Sequence, residues 1–482
     1  MSEEYDVVVV GSGVAGLSAA LAAREEGARV AVLERATEAE SGGNTRYTEA
    51  YLRMKSEDDV SDDFEDALLG DFMGYPDPGL TGELVRDRSS WPANLRAMHI
   101  LDPEVVGVFA ASAGPTLAWM RGHGVAFGPI TTGFITTSTT RLAPVGGGLA
   151  LVETLGKAAR EHGVDFHYLT AGRDLLRDAD GTVVGVKAVR EGDRPVEFRG
   201  RVVLACGGFE GNAEMQARYL GPGSLVCRPI ARGGYYNKGE GIAMALRAGA
   251  APSGNFNLFH AEPMDPRSAA PEPAIFAFPY GILVNRDGER FVDEAPGPVD
   301  ATYEAITRVI NAQPQGIGYL VLDERIEDVP TWQRAVRTDR PAIVADTLAD
   351  LATALDVPAG SLESTVAAYN AACRDGEFDP LRTDGVATVG LHPQKSNWAR
   401  PIDAPPYRAY PIIAANVFTF GGLKIDPSAR VLTHDGAVLR GLYAAGEIVG
   451  SYFTRYAGST SVLKGAVFGR IAGVDAAKGA AQ

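Results

Sequence analysis

The stretch Tyr5-Asp6-Val7-Val8-Val9-Val10-Gly11-Ser12-Gly13-Val14-Ala15-Gly16-Leu17-Ser18-Ala19-Ala20-Leu21 decides the fold. Four consecutive valines suit a strand buried on both faces, and the glycines after them suit a tight turn into a helix rich in Ala and Leu. Gly11 allows the turn, Gly13 lets the backbone approach a pyrophosphate, and Gly16 lets helix and strand pack closely. The amide N–H groups around Val14 and Ala15 then meet phosphates at the positive end of the helix. A second apolar strand, Arg29 to Leu33, ends in Glu34, beside Arg35. A carboxylate there accepts hydrogen bonds from a ribose 2′-OH and repels a 2′-phosphate. Strand, turn, helix, strand and acid in that order predict a dinucleotide site, with FAD and NAD still to be separated.

The chain has 482 residues, 45% of them hydrophobic, enough for two domains or one large domain with an insertion. A net charge of -16 gives no overall attraction to nucleic acid or anionic membranes. The uncharged run from Val7 to Ala23 follows Ser2-Glu3-Glu4, lacks a basic flank and is broken by three glycines, so it reads as buried fold rather than a signal or a membrane span. Cys206, Cys227 and Cys373 are too few and scattered for a disulfide framework or a CxxC pair. These features predict a reduced, cytoplasmic protein with no membrane span and no nucleic-acid partner.

Further along, Ser41-Gly42-Gly43-Asn44-Thr45-Arg46 forms a small polar loop suited to close backbone contact with a flat heterocycle. From about Glu57 to Arg121 the pattern is helical. Val164 to Leu169 reads as a strand, and a small β-meander that includes Ala171 and turns at Asp180-Gly181 follows. It runs into Arg201 to Cys206, a buried strand that stops at Gly207 and Gly208, returning backbone amides toward the same dinucleotide. Cys206 is read as a small core residue. Another helix begins near Gly239. Asp287-Gly288 signals a hairpin between Gly281 and Val292. Nucleotide-domain character returns with a strand ending in Gly446-Glu447 and a final helix whose first amides follow Thr460 and Ser461. Facing a flavin's N1 and C2 carbonyl, those amides would stabilise the negative charge that reduction places there.

Taken together, these segments resemble the fumarate reductase and succinate dehydrogenase flavoprotein family, which includes the 3-ketosteroid dehydrogenases. The matching pieces are Gly11 to Glu34, Ser41 to Thr45, Ala205 to Asn212, Gly239 to Ala250, Gly281 to Glu294, Phe420 to Asp426 and Gly441 to Gly473. Similarity to tricarballylate dehydrogenases is closer still, in Gly42 to Arg46, Tyr236 to Glu240, His260-Ala261, Arg290 to Glu294, Thr302-Tyr303 and Gly465 to Arg470. The resemblance implies an α/β fold: a Rossmann-type, glutathione reductase-like FAD-binding domain over residues 1–256 and 396–482, interrupted by an α+β capping domain over 257–395. It implies FAD contacts at the segments above, at Asn212 and at Ser461, Val462 and Leu463. Covalent members attach FAD through a His that falls near Asn44, so a noncovalent flavin is expected. No second glycine fingerprint for NAD is present, which implies an external electron donor or acceptor.

The implied chemistry removes vicinal hydrogens from a small molecule: a base takes a proton beside an activating carbonyl or carboxylate while hydride leaves the neighbouring carbon. Tyr456, on the loop entering the last helix, is the first candidate for proton transfer, with Arg455 as the neighbouring cation that would help it act as a base. His260 and Tyr303 follow, and Arg46, Arg232 and Arg455 are candidate carboxylate ligands. Three readings stay open: a tricarballylate-like polycarboxylate dehydrogenase or enoate reductase, a dehydrogenase for a ketosteroid or other cyclic ketone, and a flavin electron-transfer subunit. Several arginines converging at the flavin would mark the first, and an apolar slot with paired tyrosines the second.

Overall fold

The computed structural model describes residues 2–69, 86, 87, 90–92, 95, 100–130 and 142–480. The valines lie at its centre. The strand Ser2–Val10 runs parallel between Val30–Leu33 and Arg194–Leu204, with Val8 opposite Ala31 on one side and Val202 on the other. Val7, Val8 and Val9 are fully buried, as a strand covered on both faces requires. Asp165–His167 extends the sheet beyond Val30–Leu33, and Val438–Ala444 extends it beyond Arg194–Leu204. The β-meander is Thr170–Arg177, Val183–Arg190 and Arg194–Leu204, so its last strand is itself part of the central sheet.

The helices Val14–Glu25 and Ser461–Ala480 pack side by side. Gly465, Gly469 and Gly473 recur every fourth residue and share one helical face. A Cβ at Gly469 would lie 2.3 Å from the Ala15 carbonyl oxygen, and one at Gly473 would lie 2.1 Å from that of Ala19. The two backbones therefore touch, and the end of the chain is fixed against its beginning.

A second, mostly antiparallel sheet takes Phe259–Met264, Ile282–Val284, Ile317–Leu322 and Ile343–Ala345 around the long strand Tyr407–Thr419. One face packs on the helix Val299–Asn311 and the other on Leu348–Leu355 and Ala359–Ala372. The long strand crosses this sheet and ends beside the nucleotide sheet, where the Thr419 amide donates to Glu447 Oε1 at 2.9 Å. The sequence division had grouped residues 396–482 with the nucleotide domain.

One local reading needs correction. The Asp287-Gly288 turn forms, but its second strand does not: Val284 meets Arg290 in a single bridge, and Ile282–Val284 pairs with Ile317–Leu322 instead. The Arg290 side chain turns inward to Glu294 at 2.7 Å, and both are almost fully buried, so this arginine ties the cap together. The helical reading of 57–121 holds in Phe64–Leu69 and Pro103–Gly122, while 70–85 lies outside the described residues. Among the described residues no helix is long and apolar enough to cross a membrane.

Candidate active site

A cleft of about 1400 Å³ runs along the C-terminal ends of the parallel strands, the place where open α/β sheets bind ligands. Gly11 has φ +105°, and a Cβ there would stand 2.3 Å from the Ala205 carbonyl oxygen, so only glycine fits between the two strand ends. At Gly16 a Cβ would lie 1.9 Å from the Gly11 oxygen, which gives this residue the packing role expected of it and keeps it off the cleft wall. The helix Val14–Glu25 has no side-chain cap from Gly13; the Val14 amide donates to Thr45 Oγ1 at 3.2 Å. The polar loop is thereby tied to a helix end suited to an anion.

Glu34 is buried in the wall. Its Oε2 accepts from the Ser12 amide at 3.1 Å and from Ser12 Oγ at 2.5 Å, and its Oε1 accepts from the Ala36 amide at 2.8 Å. A carboxylate offers about four acceptor sites, which leaves room for a ribose hydroxyl. Arg35 pairs with Glu240 at 2.6 Å. Gly13, Val14, Ala15, Gly43, Asn44, Thr45, Ala171, Cys206, Gly207, Gly446, Glu447, Ser461 and Val462 all line the cleft. Besides Gly16, four expected contacts do not. Gly42 packs against Val152 and Gly208 against Thr419 and Glu447. Asn212 caps the helix Ala213–Leu220 by accepting from the Glu214 and Met215 amides, and Leu463 is buried in the core. Burial pushes the Cys206 thiol up to about 12, in keeping with a packing residue.

Asn44 Oδ1 is buried in this wall with no partner among the described residues, while its amide donates to Glu210 Oε1 at 2.7 Å. Burial first, then the neighbouring Glu447, pushes Glu210 well above the carboxylate range, so this acid stays protonated beside the cleft. Lys464, one helical turn inside the last helix, also lines it. A cleft with a turn at Gly11 that only glycine fits, a helix N-terminus without a cap from Gly13, an acceptor-rich ribose corner and an orphaned amide oxygen fits a dinucleotide such as FAD.

A second cavity of about 790 Å³ opens off the first, sharing Thr48, Glu272, Val417, Phe418, Ser461 and Val462 with it. Here the structure brings together three of the five expected catalytic residues. His260 Nε2 lies 3.2 Å from Tyr303 Oη, and the rings of His260 and Tyr456 are 4.4 Å apart. Tyr456 Oη accepts from the amides of Thr460 and Ser461 at 3.1 and 3.2 Å. That phenol caps the last helix, whereas Thr460 Oγ1 turns to the Ala457 carbonyl. Among the described residues nothing caps the Val462 and Leu463 amides, so the donors still open at this helix end lie one residue further in than Thr460 and Ser461.

His260 is buried between Glu262 at 3.5 Å and Glu304 at 3.4 Å. Burial alone would lower its pKa, but the two carboxylates prevail and raise it to about 9. The arginines fall elsewhere. Arg455 is exposed and lines neither cavity, in a bend of the loop just before Tyr456. Arg46 faces Glu153 at 4.0 Å, and Arg232 pairs with Glu40 at the surface. The arginine that does reach the pocket is Arg337, which sequence reasoning missed; it pairs with Glu49 at 3.0 Å and approaches Glu272 at 3.8 Å. Glu262, Glu304 and Lys464 were also missed, since nothing local distinguishes them from surface charges.

A family profile described as FAD binding domain matches residues 6–462. NADH:acrylate oxidoreductase of Vibrio harveyi is 28% identical over 99% of this chain, which spans only half the length of that protein. The open conformation of a flavocytochrome c3 fumarate reductase superposes with a TM-score of 0.74 at 25% identity, over 100% of this chain and 79% of the other. A 3-ketosteroid-Δ4-(5α)-dehydrogenase from Rhodococcus jostii RHA1 superposes with a TM-score of 0.67 at 26% identity, over 98% and 97%. With residues 6–462 matched by that profile, the chain belongs to the FAD binding domain family.

Proposed function

We propose that this chain is an FAD-dependent oxidoreductase that forms or reduces a carbon–carbon double bond beside the carbonyl of a substrate with little negative charge, a cyclic ketone being the type that suits the pocket. The charge of the lining carries this reading. Among the described residues one arginine, Arg337, lines the pocket, committed to Glu49 at 3.0 Å and Glu272 at 3.8 Å, and His260, raised to about 9, is already flanked by Glu262 and Glu304. A tricarboxylate would need several uncommitted cations, whereas Tyr51, Phe276, Tyr303, Phe418 and Tyr456 offer an aromatic slot.

A flavin held in the neighbouring cleft supplies the hydride acceptor or donor at N5. The chain's own part is to place and move the proton. Tyr456 Oη receives two backbone amides at the positive end of a helix, and these favour the phenolate that must form, its proton leaving toward Ser461 Oγ at 3.0 Å, before that oxygen can take a proton from the substrate. Tyr303 and His260 adjoin it as hydrogen-bonding partners for the carbonyl. The flavin is held without a covalent bond, Asn44 standing where covalent members carry a His, and an external partner exchanges electrons with it.

Anaerobic bleaching of the flavin by a panel of cyclic ketones, dicarboxylates and tricarboxylates tests this. Bleaching by a saturated cyclic ketone, with tricarballylate inert, is expected; bleaching by tricarballylate at low concentration would overturn the proposal. A flavin that answers only to an electron-transfer partner would favour the carrier reading.

A further inference from the structure

Lys464 is a buried cation in the cofactor cleft with no carboxylate within ion-pair distance among the described residues. Its Nζ donates to the Val449 carbonyl at 2.9 Å and to Ser451 Oγ at 3.1 Å, and stands 4.7 Å from the centre of the Tyr452 ring. All three partners are neutral. Ser461 and Val462, one turn earlier on the same helix, line both the cleft and the substrate cavity, so Lys464 stands just behind the junction where the two meet. A charge held in a site of low dielectric by neutral hydrogen-bond acceptors is weakly screened from whatever occupies the cleft.

We propose that Lys464 sets the reduction potential of the bound flavin and takes up a proton when the flavin is reduced. Reduction places negative charge on the cofactor, and an ammonium in the wall favours that charge. By linkage, the new charge holds the ammonium more firmly. Burial pushes the Lys464 ammonium down to about 7, while Glu447 pulls the other way. Near neutrality the group is thus close to its midpoint, and because reduction holds the ammonium more firmly, the additional proton is taken up most fully above pH 7, where the oxidised protein has released it. Glu447 and Tyr452 are the ionisable groups that face it. Tyr452 is buried and its phenol is pushed well above its ordinary range, so it stays neutral. No step needs a further reactant: two electrons from the reductant reach the flavin, and the extra proton comes from solvent.

The test is the potential of bound FAD against pH, in the wild type and in Lys464→Met, a neutral side chain of similar length. Below pH 7 the wild-type potential should lie above that of the variant. As pH rises from 7 its slope should steepen by one proton per two electrons, and the two curves should converge at high pH. Parallel curves, or superimposable ones, would overturn the proposal. Direct measurement of proton uptake on photoreduction of wild-type protein in weak buffer needs no variant. More protons per FAD at pH 8 than at pH 6 is expected, and equal uptake would contradict it.

Discussion

The phenolic oxygen of Tyr456 accepts the backbone amide of Ser461 at 3.2 Å. Five residues of loop are thereby closed into a ring whose hydroxyl serves the helix and faces the substrate cavity. On the proposed mechanism chemistry and capping share one atom, and they can be separated because they respond to different measurements.

Tyr456→Phe should lower the rate of flavin reduction by substrate by about 10²- to 10⁴-fold, the usual contribution of a positioned proton-transfer group. Stability should fall by only about 1 kcal/mol, the net worth of ordinary hydrogen bonds. Stopped-flow reduction and thermal unfolding read the two effects separately. A near-normal reductive rate would leave Tyr456 as a packing and capping residue.

His260 gives the fold a pH dependence with a definite sign. Burial works against its charge, Glu262 and Glu304 overcome that, and the folded pKa rises to about 9 from an ordinary value of 6.5. A raised histidine contributes stability that is complete below about pH 6.5 and is lost as pH climbs through 9, an effect on the order of 3 kcal/mol at most. His260→Gln should flatten the urea-unfolding free energy between pH 6.5 and 9. An unchanged slope would show that the histidine is not charged in the folded protein.

Gly469, like Gly473, lies where the first and last helices meet backbone to backbone, its absent Cβ leaving room for the Ala15 carbonyl. Gly469→Val should destabilise the protein by about 1–3 kcal/mol or more, since the seam has no slack. Gly479, in the last turn of the same helix, would meet only the guanidinium of Arg201. Substitution by Ala there should cost far less, and calorimetry on both variants checks the contrast.

The opening of the chain was legible because everything that defines it is local: four valines, a turn only glycine can make, a helix, a strand and an acid occur within thirty residues. The cleft inherited that clarity. The pocket did not, since its electrostatics come from separate elements. Arg337 arrives from the loop after Trp332–Ala335, and Glu304 from the helix Val299–Asn311. Adjacency misled in the opposite direction at Arg455, whose neighbour faces the site while it faces outward. The Asp287-Gly288 hairpin failed for a related reason: the turn obeyed its dipeptide, but the buried pairing of Arg290 with Glu294 claimed the strand that should have followed.

The central claim is that the opening turn and the closing helix line a single cleft and grip one flavin between them. FAD titration of the apoprotein, followed by absorbance, addresses it directly in the wild type, in Gly13→Leu at one end and in Ser461→Trp at the other. One tightly bound FAD per chain, released by acid precipitation and weakened at least tenfold by either substitution without loss of folding, is the expected result. A wild-type preparation that stays colourless, or affinity untouched by one of the two substitutions, would contradict it.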